Sequence, residues 1–258
     1  MISYVDNTCR KPNFTSNLRR VYDASTNSLL YLNTTGLFRK DLDWDKFVDF
    51  LISKYKNTDK VNIYCYACSD GSEPYSLAIK LMEKAAKLGV DCDKFFPINA
   101  KDIDAKMIFM AKRGYLPANE SDEKILTEYP QYFEKTHIIP DLDLGCDSIW
   151  RVRSYLKNKV IFQHADINTD INIVKPNNSV VMARNFWIYL DGDFQRRNLA
   201  RNIQALLKKN SLLVVGNSEN IRQCDVVSTL SDFGYTKTPV KNVFDVPERK
   251  IKYKSIYY

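Results

Sequence analysis

Apolar residues along this chain change their spacing in blocks. In "DWDKFVDFLISKYKN" they recur at helical intervals, with Phe47, Phe50 and Leu51 on one stripe and acids in the first turn, where the positive end of a helix favours them. "VNIYCYA" is a β-rich run, and the segment after it returns to helical spacing at Ala78, Leu81, Met82, Ala85 and Leu88. "KFFPINA" predicts a second strand, weakened in its middle by Pro97, and "IDAKMIFMAKRG" predicts a helix stopped at Gly114. "KVIFQHADI", "SVVMARN" and "SLLVVGN" predict three more strands. The last two flank "DFQRRNLARNIQALLKKN", a helix with Leu199, Ile203 and Leu206 on one face, Lys208 and Lys209 in its last turn and Asn210 at its end. Such alternation predicts an α/β fold, a doubly wound and mostly parallel sheet with helices on both faces. Two regions break the rhythm. Residues 119–155, with the short pieces "HIIP" and "SIWRVRS", predict a small antiparallel excursion, and the tail from "GYTKTPVKNVFDVP" onward predicts a final antiparallel hairpin.

Composition narrows the class. The 258 residues are 45% apolar and 12% aromatic, enough for one sizeable domain with a buried core. No apolar stretch is long enough to span a bilayer, and the N-terminus "MISYVDNTCRKPNF" lacks a secretion signal, so a cytoplasmic protein is expected. Six cysteines include one CxxC, Cys65 and Cys68, without a second pair, and the chain has two histidines. That set lacks the four-ligand rhythm of a structural zinc, so no metal is expected. The net charge of +7 sits at the ends: residues 1–40 and 234–258 each carry six basic and two acidic side chains, and the middle is close to neutral. Such ends suit an acidic protein or nucleic acid, or simply solubility.

The loop "ACSDGSEP" follows the first strong strand and opens a helix, the position where doubly wound sheets bind ligands. It has one glycine, no lysine, and the acids Asp70 and Glu73, so a phosphate would be repelled; GxxxxGK[ST] and GxGxxG are both absent. A nucleoside bearing a cationic amine and no phosphate fits better, and S-adenosylmethionine is such a molecule. Asp102, ending the next strand about one βαβ unit later, stands where an acid commonly binds ribose hydroxyls. The competing explanation is helix chemistry alone: an acid near a helix start, followed by Pro74.

Several stretches, in order, resemble the CheR-type chemotaxis receptor methyltransferases. They are "NTTGLFR", "ACSDGSEPYSLAI", "DID" at Asp102 to Asp104, "AKRGYL", "YF" at Tyr132 and Phe133, "RNFWIYLD" and "LLVVGNSENI", spread over residues 33 to 221. The resemblance implies a class I, Rossmann-like methyltransferase with a seven-stranded sheet, a C-terminal antiparallel hairpin and a small β-subdomain inserted at about 134–153. It divides the chain into a short basic N-terminal segment, 1–40, and a methyltransferase domain, 41–258. It also implies S-adenosylmethionine as cofactor and glutamate side chains of a protein acceptor, such as the cytoplasmic domain of a chemoreceptor, as substrate.

Carried onto this chain, the resemblance gives Glu73 the methionine ammonium and Asp102 the ribose. Asp166 and Ile167 flank the adenine, and Ala67 and Asn185 line the same pocket. Asn33 and Thr35 close over the methionine end, and Arg39 and Tyr189 sit near the transferred methyl. Plainer alternatives are an Arg39–Asp41 ion pair and a packed Tyr189. The chain departs from the family at Leu37 (an aromatic), Ser72 (an acid) and Asn217 (a histidine), and only 32 residues precede Asn33. Rival readings remain: methylation of a small-molecule carboxylate or of RNA, or a catalytically silent cofactor-binding module. The absence of an N/D-P-P-Y/F motif and of a Pro-Cys dipeptide argues against nucleic acid.

Overall fold

A computed structural model describes residues 20–23, 28–31, 35–136, 146–190, 192–208, 210–217, 220–221 and 224–247. Strands β1 (Arg20–Asp23) and β2 (Ser28–Tyr31) pair as an antiparallel hairpin. Helix α1 (Trp44–Lys54) follows, its first turn capped by the Asp43 carboxylate on the Lys46 amide. Next come β3 (Asn62–Tyr66), α2 (Ser72–Leu88), β4 (Ile98–Asp102) and α3 (Ala105–Arg113). A three-stranded antiparallel sheet of β5 (Tyr115–Ala118), β6 (Phe133–Thr136) and β7 (Ser148–Val152) is then built in order β5-β7-β6, with α4 (Glu120–Glu128) between its first two strands.

The chain returns to the main sheet through α5 (Ser154–Lys157), β8 (Val160–His164), α6 (Ile167–Asp170), β9 (Ser179–Ala183), α7 (Gly192–Leu206) and β10 (Leu212–Val214). A two-stranded excursion, β11 (Asn220–Ile221) and β12 (Cys224–Asp225), leads into α8 (Val226–Asp232), and β13 (Thr236–Lys237) and β14 (Val243–Asp245) close the sheet.

Seven strands lie in the order β13-β14-β10-β9-β3-β4-β8. The five from β10 to β8 are parallel, and β14 is antiparallel to both its neighbours. This is the expected doubly wound sheet with a C-terminal antiparallel hairpin. β9 is buried at all five positions, as a strand covered on both faces must be, whereas edge strand β8 exposes Ile161. Two apolar clusters sandwich the sheet. One gathers Phe47, Leu51, Ile63, Ala78 and Leu81 with Leu116 and Trp150 of the small sheet; the other gathers Tyr66, Val181, Trp187, Leu199 and Ile203. Strand direction matters most for function, because all five parallel strands have their carboxyl ends on one edge.

Two helices differ from the sequence reading. α7 stops at Leu206, so Lys208 lies beyond its last turn; the Lys208 amide turns away to the Pro176 carbonyl at 2.6 Å. α4 was not expected, because Leu126 is its single buried residue. "HIIP" lies outside the described residues. Among the described residues, no helix is long and apolar enough to cross a membrane.

Candidate functional site

The carboxyl end of β3 turns into α2 through an unusually strained loop. Ala67 (φ 54°), Ser69 (φ 50°) and Gly71 (φ 93°) all adopt left-handed backbone, which costs a non-glycine residue on the order of 1 kcal/mol or more. At Gly71 a Cβ would also come within 2.7 Å of the Phe162 ring, so only glycine fits. The loop is held by its amides. Cys68 donates to the Lys101 carbonyl at 3.1 Å, Ser69 to Asp102 Oδ2 at 2.7 Å, and Ser72 to Asp70 Oδ1 at 2.9 Å. Amides that a phosphate binder would aim at its ligand are here taken by the protein's own carboxylates and carbonyls.

Asp102 ends β4 beside this loop and is buried. Its Oδ1 accepts from the Asp104 amide at 2.8 Å, Oδ2 from the Ser69 amide at 2.7 Å, and the Ile103 amide is a further backbone donor to the carboxylate. Burial pushes its carboxyl up to about 6 despite the opposing pull of those amides. Asp70 is likewise pushed to about 6, again chiefly by burial.

The strongest electrostatic feature is a buried chain of three charges. Arg184, at the carboxyl end of β9 and fully buried, holds Glu73 Oε2 at 2.6 Å and Asp41 Oδ1 at 2.5 Å. Glu73 Oε1 accepts from the Cys65 thiol at 3.2 Å, and the Arg184 guanidinium lies 5.2 Å from the Trp44 ring. Two carboxylates and one guanidinium leave a formal charge of −1 in a desolvated place. Asp41 Oδ2, Arg184 Nε and the nearby Ser69 Oγ are buried without a partner. The unsatisfied Asp41 and Ser69 oxygens beside excess negative charge fit a ligand that brings a cation and hydrogen-bond donors, whereas Arg184 Nε is itself an unsatisfied donor.

Next to these groups Tyr66, Ala67, Ile103, Ala165, Ile167 and Phe186 line a small, largely apolar cleft. Asp166 sits at its margin and caps α6 through the Asn168 amide at 2.9 Å. Asn185 follows Arg184 with φ 61°. Its side chain lies so close to Gly216 that a Cβ there would be 2.2 Å from Asn185 Oδ1 and 3.0 Å from Asn185 N. Gly216→Ala is therefore expected to destabilise the fold by about 1–3 kcal/mol. Denaturant unfolding reads this, and the further change Asn185→Gly should recover part of the loss; an unaltered midpoint for Gly216→Ala would refute the contact.

With that geometry in hand, the comparisons with known proteins are decisive. Residues 33–233 match the family described as "CheR methyltransferase, SAM binding domain". The chain belongs to the CheR methyltransferase family. It carries that family's S-adenosylmethionine-binding domain. Among curated relatives, the chemotaxis protein methyltransferase of Borreliella burgdorferi is 29% identical over 196 residues, covering 74% of this chain and 65% of that protein. Chemotaxis protein methyltransferase 2 of Vibrio cholerae is 25% identical over 217 residues (81% and 70%), and the Escherichia coli protein 27% over 212 residues (81% and 68%). The chain thus spans about two thirds of the length of these CheR relatives.

On this CheR scaffold, Ala67, Glu73, Asp102, Asp166, Ile167 and Asn185 all fall at or just beyond the carboxyl ends of β3, β4, β8 and β9, on one edge. Thr35 and Arg39 are half-buried. Their segment reaches α2 through the Phe38 amide, which donates to Ser76 Oγ at 2.9 Å, while the Arg39 carbonyl accepts from the Trp44 indole at 3.1 Å. Leu37 is buried in the core, which explains how an aliphatic residue serves where the family has an aromatic. Asn33 and the Tyr189 side chain lie outside the described residues. Sequence reasoning overlooked Arg184 and considered Asp41 only as a partner for Arg39, whereas Asp41 pairs with Arg184. Arg184 stands in the quoted "RNFWIYLD", and a fully buried arginine demands acid partners, but nothing in the order of residues names them.

Proposed function

We propose that this chain is an S-adenosylmethionine-dependent methyltransferase that esterifies glutamate side chains of a protein acceptor. The observation that carries the reading is the largely buried Glu73–Arg184–Asp41 triad, one positive charge short of neutrality, its Glu73 just beyond the loop whose Ser69 amide binds the Asp102 carboxylate. Together the triad acids would hold the methionine ammonium, so Glu73 acts with Asp41 rather than alone. Asp102 would take the ribose hydroxyls, and Ala67, Asp166, Ile167 and Asn185 would enclose the adenosine. Asn33 and Thr35 would cover the methionine end. The bound cofactor supplies an electrophilic methyl on a sulfonium.

Arg39 would clamp the incoming carboxylate bidentately and Tyr189 would steer it by its hydroxyl. A glutamate is already ionised at neutral pH, so these residues orient rather than deprotonate. A dry, aligned site around these residues would favour methyl transfer to the glutamate oxygen, because the carboxylate's charge and the sulfonium's would cancel. The same proposal takes residues 1–40 as a basic segment facing the acceptor, 41–258 as the catalytic domain with a β-subdomain insertion at about 134–153, and a cytosolic setting with a chemoreceptor-like acceptor.

The test is transfer of labelled methyl from S-adenosylmethionine to a chemoreceptor cytoplasmic fragment. Label released by mild base and mapped to glutamates is the expected result. Label in RNA or in a small acid, or tight binding of S-adenosylhomocysteine with no transfer to the fragment, would overturn the acceptor assignment.

A further inference from the structure

Strand β4 carries a lysine in its interior. Lys101 is only 2% exposed, a position that needs a paired and hydrogen-bonded charge to be tolerated. Its Nζ lies 2.5 Å from Asp170 Oδ2, with the rings of Tyr64 and Tyr66 at 5.9 and 5.8 Å. The same carboxylate oxygen accepts from the Tyr66 hydroxyl at 2.7 Å, and the Tyr64 hydroxyl accepts from the Lys175 amide at 3.0 Å. The knot fastens α6 and the turn beyond it to the middle of the sheet.

That fastening has an address. α6 is one turn long, too short to hold its shape without tertiary support. Asp166 and Ile167 stand at its start and Asp170 at its end. Tyr66 belongs to both features: its hydroxyl grips Asp170 while the residue lines the cleft together with Ile167. Apolar residues of similar volume would satisfy the core as well as this ion pair does, so packing alone does not account for it.

We infer that Lys101 and Asp170 are positioning residues for the nucleobase: acting through Tyr66 and α6, they fix the Ile167 wall of the cleft and so set the preference for adenine. The inference rests on the cofactor assignment made above. Its test is calorimetry on the full chain with S-adenosylhomocysteine and S-inosylhomocysteine, which differ only in the base. Asp170→Asn is expected to weaken S-adenosylhomocysteine about tenfold, in the range seen when supporting partners of a binding residue are removed, and to shrink the preference for the adenine form. The charge-free pair Lys101→Met/Asp170→Leu guards against simple misfolding, since it should melt near the wild-type temperature yet show the same loss of preference. Unchanged affinity in both variants, or equal weakening of both ligands with the preference intact, would overturn the inference. Failure of wild type to bind either ligand would instead bring down the cofactor assignment, and this inference with it.

Discussion

Arg184→Met should lose about 3–5 kcal/mol of folding stability, the range for breaking a buried ion pair from one side, and bind S-adenosylhomocysteine weakly or not at all. Arg184 is wholly buried between Glu73 and Asp41. Removing it leaves two largely buried carboxylates without the guanidinium that bridges them. A loss of that size is a fifth or more of the roughly 5–15 kcal/mol that holds a typical domain together. Urea unfolding measures it directly. The triple change Asp41→Asn/Glu73→Gln/Arg184→Met separates the two consequences: with the charges gone, stability should largely return while ligand affinity does not. A single variant as stable as wild type would refute the charge chain, and a triple variant that binds normally would refute its role in recognising the amine.

Asp102→Ala should weaken S-adenosylhomocysteine about 100-fold, close to 2.7 kcal/mol, as expected for losing hydrogen bonds to a charged acceptor. The wild-type protein should show a related pH signature. Because burial raises the Asp102 carboxyl to about 6 from an ordinary 3.8, the acceptor form dominates above about 6 and is lost below it. Affinity is therefore expected to fall several-fold between pH 7.5 and 5, and Asp102→Asn should flatten that fall.

Folding linkage runs the other way. The folded protein binds the Asp102 proton more tightly than the unfolded chain does. Its contribution to stability is therefore favourable near pH 4, fades as pH rises toward 6, and is absent or adverse at neutrality. Asp70 follows the same sign. Weaker binding as this destabilising contribution disappears cannot be mistaken for unfolding. Calorimetry and thermal melts across the pH range supply both curves, and a pH-independent affinity would contradict the ribose assignment.

Much of this architecture is visible in residue spacing, for a physical reason. The stripe Ala78, Leu81 and Ala85 lies on α2 and is buried, and β9 and β10 are apolar runs because the sheet is covered there on both faces. α4 escaped notice because local hydrogen bonds hold it. Asn119 and Asp122 form a capping box at its start, a device that leaves almost no trace in hydrophobic pattern.

The site divides in the same way. Asp102 could be singled out from strand order because it ends β4, whereas Asp166, two residues beyond β8, came only with the family resemblance. The triad could not, since Arg184 is 111 residues from Glu73 and 143 from Asp41. Asp70 looked like an acid awaiting a ligand, and in the structure its carboxylate caps the Ser72 amide instead.

One contact also sets the order in which the site can be completed. Asn242 donates its amide to the Asp41 carbonyl, 201 residues upstream, and to Asn217 Oδ1. During synthesis on the ribosome Asp41 and Glu73 emerge as two acids with no counter-ion until Arg184 is made, and the backbone beside Asp41 is tied down only once residue 242 has emerged. The charge triad therefore cannot close before residue 184 has been made, and its Asp41 end gains this backbone tie only with residue 242.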